Sequence, residues 1–195
     1  MNRTWNFEKG AWQAEDFLSA ASSRVEYRLT FGQKDDCIHN EGADKMDEYA
    51  YLSMVHRTPV SLPCLLETEC SFRTYGAPLL ILADAVDTLP DGRLQYGHHI
   101  EVVGWEKGIN VWDLTPDPEA PNGQRTVNLG RFSFPIEDGA RFLLTARADR
   151  QGLVVGAEVN GRSAQFDCPC VLPEKCYVGI TACEGENYFY RFSIR

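Results

Sequence analysis

Residues 141–166 read RFLLTARADRQGLVVGAEVNGRSAQF, and this stretch decides the fold class. It divides into three runs that read as strands: Arg141 to Ala148, Leu153 to Val159, and Arg162 to Phe166. Gln151-Gly152 separates the first pair. Asn160-Gly161 separates the second, and it is the strongest short hairpin signal in the chain, because both residues tolerate the positive φ of a two-residue turn.

The same text continues in both directions. Downstream, Tyr177 to Ala182 and Tyr188 to Ile194 read as two closing strands. Upstream, Leu65 to Thr74 alternates, with Leu66, Thr68, Cys70 and Phe72 on one side and Glu67, Glu69, Ser71 and Arg73 on the other. That is the period of a half-buried strand. Pro78 to Ala83 is a short continuous apolar run, as a central sandwich strand requires. Leu89-Pro90-Asp91-Gly92 is a turn signal. His98 to Trp105 alternates, Glu106-Lys107-Gly108 reverses the chain, and Ile109 to Leu114 returns; residues 117–123 form a loop by composition. In the first 60 residues, Gln13 to Ser23 reads as one short helix or as an irregular crossing. Arg24 to Phe31 and Tyr49 to Val55 read as strands, and Gly42 to Asp47 as a loop. Ten or more short strands with little helix mean an all-β sandwich or barrel. A chain of 195 residues is long enough to bury its own core, and 1–195 is expected to be one domain.

Composition narrows the partners. The formal net charge is −9, so the basic surface that releases phosphate counterions is missing; neither nucleic acid nor an anionic membrane is an expected partner. No stretch approaches the roughly 18 apolar residues of a membrane span. The N-terminus, MNRTWNFEKGAWQAEDF, has no apolar signal region. Seven cysteines, an odd number, argue for reduced thiols, and the expected location is the cytoplasm. Cys168-Pro169-Cys170 with Cys176 is the one cluster, and it lacks the paired spacing of a zinc ribbon.

Over residues 65–195 the chain resembles the concanavalin A-like lectin/glucanase superfamily. The order of segments carries the resemblance: ECSFR (69–73), APLLILAD (77–84), YGHHIEVVGW (96–105), INVW (109–112), FLLTARAD (142–149), EVNGRSAQF (158–166) and YVGITACEGENYFYRFSIR (177–195). The same pattern is similar to laminin-G-like and galectin-like sandwiches and to the bacterial 3-keto-disaccharide hydrolase family. The resemblance implies a two-sheet antiparallel jelly-roll β-sandwich of concanavalin A-like type with a concave face. It also implies a small-molecule saccharide or glycoside as partner. Function does not follow from fold alone.

The residues supply their own argument. Alternation places His99, Glu101, Val103 and Trp105 on one face of a strand, with Ile100 and Val102 turned to the core. A two-residue loop at Lys107-Gly108 would set Trp105 opposite Asn110 and Val103 opposite Trp112, which gathers His99, Glu101, Trp105, Asn110 and Trp112 on one face. Indole rings stack on sugars, amides and carboxylates read hydroxyls, and a His–Glu pair moves protons. His99 and Glu101 are therefore the candidate catalytic residues; Trp105, Asn110, Trp112 and Arg73 are the candidate substrate-binding ones. The alternative is that Trp105 or Trp112 simply fills core. Retaining glucanases of the superfamily carry E-x-D-x-E, and here the register reads His99, Glu101, Val103, Trp105, with a single carboxylate. Glu67, Glu69 or Asp113 would have to bring the second acid to within about 5 Å. The 3-keto chemistry implied by the other resemblance needs one base, one acid and at most a metal.

No cofactor is identified. His99 and Glu101 are donor types for a divalent metal, and Asp84, Asp87 and Asp91 lie in a loop of the kind that holds calcium, but neither metal is expected. Three readings stand: a carbohydrate-active protein that binds a saccharide or glycoside on the concave face, with cleavage of a modified (3-keto) glycoside by His/Glu chemistry as its further option, a lectin-like binding subunit without chemistry, and a scaffold whose tryptophans meet a protein partner. A homo-oligomer is left open.

Overall fold

The computed structural model describes residues 2–23, 31–40, 51–182 and 184–195. In chain order its first strands are β1 (Arg3–Asn6), β2 (Phe17–Leu18), β3 (Gly32–Gln33), β4 (Ile38–His39), β5 (Leu52–His56) and β6 (Val60–Ser61). Then come β7 (Cys64–Arg73), β8 (Pro78–Ala83), β9 (Val86–Thr88), β10 (Leu94–Tyr96), β11 (His99–Trp105) and β12 (Gly108–Pro116). The last are β13 (Gln124–Ser133), β14 (Phe142–Asp149), β15 (Gly152–Val159), β16 (Arg162–Pro169), β17 (Lys175–Ala182) and β18 (Glu186–Ile194).

Two antiparallel sheets hold all of these strands except β9 and β10, which pair with each other. The first runs β16-β15-β14-β7-β18-β4-β3, with β1 added on β18; the second runs β13-β12-β11-β8-β17-β5-β2, with β6 on β17. The three-strand stretch that decided the fold class is the β14–β15–β16 meander. Its Asn160-Gly161 turn has φ of 51° and 74°, and Val159 pairs with Arg162 across it. Two left-handed residues in a row are what a tight hairpin with native twist needs.

The alternation read in the sequence becomes the core. Leu66, Cys70 and Phe72 of β7 face Leu80, Leu82, Ile100, Val102 and Ile180 of the second sheet, and all are buried. Each such aliphatic side chain contributes about 1.5–3 kcal/mol when taken out of water. Glu67 and Glu69 point out, where they pair with Arg195 at 3.0 Å and Arg141 at 2.7 Å.

The second sheet also has an apolar outer face. Leu79, Ile81 and Ala83 of β8 with Val55 of β5 form a separate cluster, and Ala20, Leu94 and Tyr96 pack on it. Tyr96 and Ala21 hold this cover in place, with Tyr96 N donating to Ala21 O at 2.8 Å and Ala21 N to Leu94 O at 3.0 Å. The β8, β17 and β5 side of that face is thus covered by the β9–β10 hairpin and the segment after β2.

One reading of the sequence is settled between its two alternatives, and two change. The stretch Gln13 to Ser23 is the irregular crossing: a single 3-10 turn at Ala14–Asp16, the short β2, and an isolated bridge from Ala21 to Gln95. Gln124–Ser133 is a ten-residue strand not anticipated from its sequence. Of the strand expected at Tyr49 to Val55, Tyr49 and Ala50 lie outside the described residues, and the described strand is Leu52–His56. The strand expected at Arg24 to Phe31, apart from Phe31 itself, and the loop expected at Gly42 to Asp47 lie outside the described residues.

Candidate functional site

The β11–β12 hairpin carries five of the predicted site residues, with a corrected register. The turn is Glu106-Lys107, so Trp105 pairs with Gly108, Val103 with Asn110, Glu101 with Trp112, and His99 with Leu114. Gly108 sits in the strand because the third strand passes too close for a side chain. Its φ is 140°, and a Cβ there would fall 2.0 Å from the Phe132 carbonyl oxygen. The slip is two residues, an even number, so every side chain keeps its face. What changes is the neighbours: Trp112 stands directly beside Glu101.

Glu101, Trp105, Asn110 and Trp112 all line one cleft of about 1030 Å³. It lies where the chain changes sheets. Thr74 and Tyr75 come from the β7–β8 connection, Ile136 and Asp138 from the β13–β14 connection, and Glu184 from the β17–β18 connection. Trp105 and Trp112 are half-buried, and Glu101 has only 7% of its side chain exposed, at the floor of the cleft. The Lys107 ammonium lies 5.2 Å from the Trp105 ring centre, and the Arg131 guanidinium 5.7 Å from that of Trp112.

His99 is placed differently. It is fully buried and does not line the cleft. Its Nδ1 is 2.8 Å from the Gly97 carbonyl oxygen, its Nε2 is 3.8 Å from Glu101 Oε1, and the Tyr96 ring packs 5.4 Å away. Tyr96 is itself fixed by Ser53 Oγ at 2.7 Å, which in turn meets Thr181 Oγ1 at 2.9 Å. The imidazole is therefore enclosed beside the Glu101 carboxylate, without surface in the cleft.

Arg73 is not part of this cleft. It lies at the end of β7 on the outer face of the other sheet, in a second, smaller cleft. The acids considered as partners for Glu101 are also elsewhere: Glu67 and Glu69 are paired on the first sheet, and Asp113 turns away from Trp112 to accept His98 Nε2 at 2.9 Å. The acids that do share the cleft with Glu101 are Glu106, Asp138 and Glu184.

Sequence reasoning missed Tyr75. It is 82% exposed at the cleft and holds a φ of 64°, next to Thr74 at 53°. The only signal was Tyr75-Gly76 directly after an alternating strand.

The metal candidates gain no geometry. Among the described residues no three His, Cys, Asp or Glu side chains are grouped to hold an ion, and the six described cysteines are free thiols. Asp91 accepts Arg93 N at 3.0 Å and Arg93 Nε at 2.7 Å, and these bonds hold its carboxyl below the usual range.

No protein-family model matches the sequence, and no curated protein is similar to it. Solved structures are similar. The chain aligns with β-agarase A in complex with oligoagarose at a TM-score of 0.60 and 8% identity, over 99% of this chain and 88% of that one. The lectin UEA-II complexed with galactose gives 0.59 and 9%, over 100% and 97%. Carbohydrate binding module CBM66 from Bacillus subtilis gives 0.57 and 12%, over 83% and 88%. At such identities the likeness is one of fold.

Proposed function

We propose that this chain, a concanavalin A-like sandwich, is a saccharide-binding protein whose site is the cleft floored by Glu101 and Trp112. The observation that carries the reading is the direct cross-strand pairing of those two residues, with Asn110 two positions away on the same face. An indole offers an apolar ring face to a pyranose, while a carboxylate and an amide beside it take hydroxyl protons or give an N–H. The named ligands of the similar structures, oligoagarose and galactose, agree with this chemistry.

The test is a titration of tryptophan fluorescence and heat with a panel of neutral mono- and oligosaccharides. Trp112→Ala is expected to weaken binding at least tenfold, about 1.4 kcal/mol, while circular dichroism keeps the β signature. Unchanged affinity in Trp112→Ala, or no binding of any sugar by the parent chain, rejects the reading.

A catalytic version is favoured by one observation, the nearly buried Glu101 carboxylate on the cleft floor with His99 Nε2 3.8 Å behind it. On a glycoside already oxidised at C3, Glu101 would take the C2 proton, alpha to the carbonyl. The C–H electron pair then forms the C1–C2 double bond as the C1–O bond breaks, and the aglycone leaves with that bond's electrons. The expected result is release of aglycone from a 3-keto glycoside by the parent chain and its loss in Glu101→Gln, with sugar binding retained. Equal release by both proteins rules out Glu101 as the base.

A further inference from the structure

The second cleft, about 270 Å³, lies on the outer face of the first sheet. Tyr188 and Tyr190 of β18 and the buried Ser71 of β7 line it, together with Lys34 from the β3–β4 turn and Arg73 from the end of β7. The floor is tied together: Tyr190 Oη is 3.0 Å from Ser71 Oγ, and Tyr188 pairs with Ser71 across the sheet.

Two of the acids around this cleft have partners. Glu69 holds Arg141 Nε at 2.7 Å, and the Arg141 guanidinium lies 3.5 Å over the Tyr190 ring. Glu186 accepts the Tyr188 hydroxyl at 2.8 Å. Asp36 lines the cleft itself, and its carboxylate helps to raise the Cys37 thiol. The cations at the rim are not so occupied: among the described residues neither Lys34 nor Arg73 has a carboxylate within ion-pair distance. Lys34 lies 4.5 Å from the centre of the Tyr188 ring, and Arg73 lies over Gly139.

On a chain of net charge −9 the cleft is locally balanced: Lys34 and Arg73 stand beside the carboxylates of Asp36 and Glu186, and Glu186 is the cross-strand partner of Arg73. The phenol and the thiol add no further negative charge. Burial, with the Glu186 carboxylate, pushes the Tyr188 phenol up to about 12, and burial pushes the Cys37 thiol up to about 11, so both stay neutral at physiological pH.

We propose that this cleft binds an oxyanion (a carboxylate, phosphate or sulfate) carried on a ligand no larger than about one sugar ring. Two cations on one cleft, one a planar fork able to take two oxygens and one a point charge, are the chemistry that recognises such a group, and the bonded hydroxyl pair of Ser71 and Tyr190 has one O–H left to donate. The volume falls below the roughly 300–1,000 Å³ of sites for larger organic ligands. The site is separate from the saccharide cleft and stands or falls without it.

The experiment is a titration of the full chain at low ionic strength with inorganic phosphate, sulfate and glucuronate, with glucose as neutral control. It is followed through the backbone amide resonances of Ser71, Gly139 and Tyr188. Saturable shifts are expected with at least one anion and not with glucose, and they should weaken as sodium chloride is added. Arg73→Ala and Lys34→Ala should each weaken binding about fivefold, the double variant should abolish it, and Trp112→Ala should leave it unchanged. Glucuronate binding tenfold tighter than phosphate and sulfate would identify an acidic sugar as the source; equal binding would identify the free inorganic anion. No saturable shift with any anion, the same shifts with glucose, or full binding by the double variant would overturn the proposal.

Discussion

Tyr75 holds a left-handed backbone that costs a residue with a side chain about 1–2 kcal/mol, and it is 82% exposed, so little burial offsets the strain. The turn around it is held from outside, with Thr74 N donating to Asp138 Oδ2 at 3.0 Å and Gly76 N to Arg73 O at 3.1 Å. An exposed aromatic kept in a strained position beside an aromatic cleft has the features of a ligand platform. Tyr75→Gly is therefore expected to leave the chain as stable or up to about 1 kcal/mol more stable, since glycine adopts this φ freely but loses more entropy on folding. Saccharide affinity should fall several-fold. Urea unfolding and the sugar titration read the two effects; lower stability with unchanged affinity would count against this role. Some of the site's residues were legible and some were not, for a physical reason. The alternation of β11 placed Glu101 and Trp105 on one face directly from the sequence. It also placed His99 there, but a period of two says which face a side chain takes and not what covers that face. Tyr96, from a different hairpin, covers His99. Arg73 fails for the same kind of reason: a strand's alternation does not say which of two sheets the strand joins.

At the scale of elements, the strands read most easily are those with one buried face. The apolar run of β8 pairs on both sides, with β11 and β17, and its bounds agree with the sequence reading. β13 shows the opposite case. It is an edge strand, mostly exposed, whose pairing with β12 slips between Val111 and Trp112, leaving Leu129 out of register. Exposure removes the apolar alternation and the bulge breaks its phase, so QRTVNLGRFS carries little periodic signal. The β11–β12 turn sits between these extremes. The reversal was legible from Glu106-Lys107-Gly108, but the role of the glycine was not. Gly108 reads as a turn residue until β13 is known to pass beside it, at which point it becomes the residue that lets the third strand pair. The error of two residues preserved the face and moved Trp112 from Val103 to Glu101, so four members of the cleft were predictable while their pairings were not.

For the molecule as a whole, burial of thiols such as Cys64, Cys70 and Cys176 between the sheets, and of the Tyr96 phenol in the outer cluster, sets a pH limit. Burial, the first cause in each case, pushes Cys64 and Cys170 up to about 11 and Cys176 up to about 12, and it raises Cys70 and Tyr96 as well. An unfolded thiol releases its proton near pH 9, whereas the folded one keeps it. Between those values the unfolded chain binds fewer protons than the native one, so stability falls as pH rises. The contribution of these groups is fully present below about pH 9 and is lost as pH passes through their folded values. Cys64 and Cys176, both 5% exposed or less, together give a slope on the order of 2–3 kcal/mol per pH unit at its steepest. Against a total stability of about 5–15 kcal/mol, that is enough to unfold the sandwich within a few units. Urea midpoints are expected to stay level from pH 7 to 8.5 and to drop steeply above pH 9. The Cys64→Ala/Cys176→Ala double variant, less stable at pH 8 because it leaves small cavities, should show a shallower alkaline loss. A midpoint that holds level to pH 10.5 in the parent chain would mean that these thiols can ionise without leaving the core, and the dry packing of the two sheets around them would have to be redrawn.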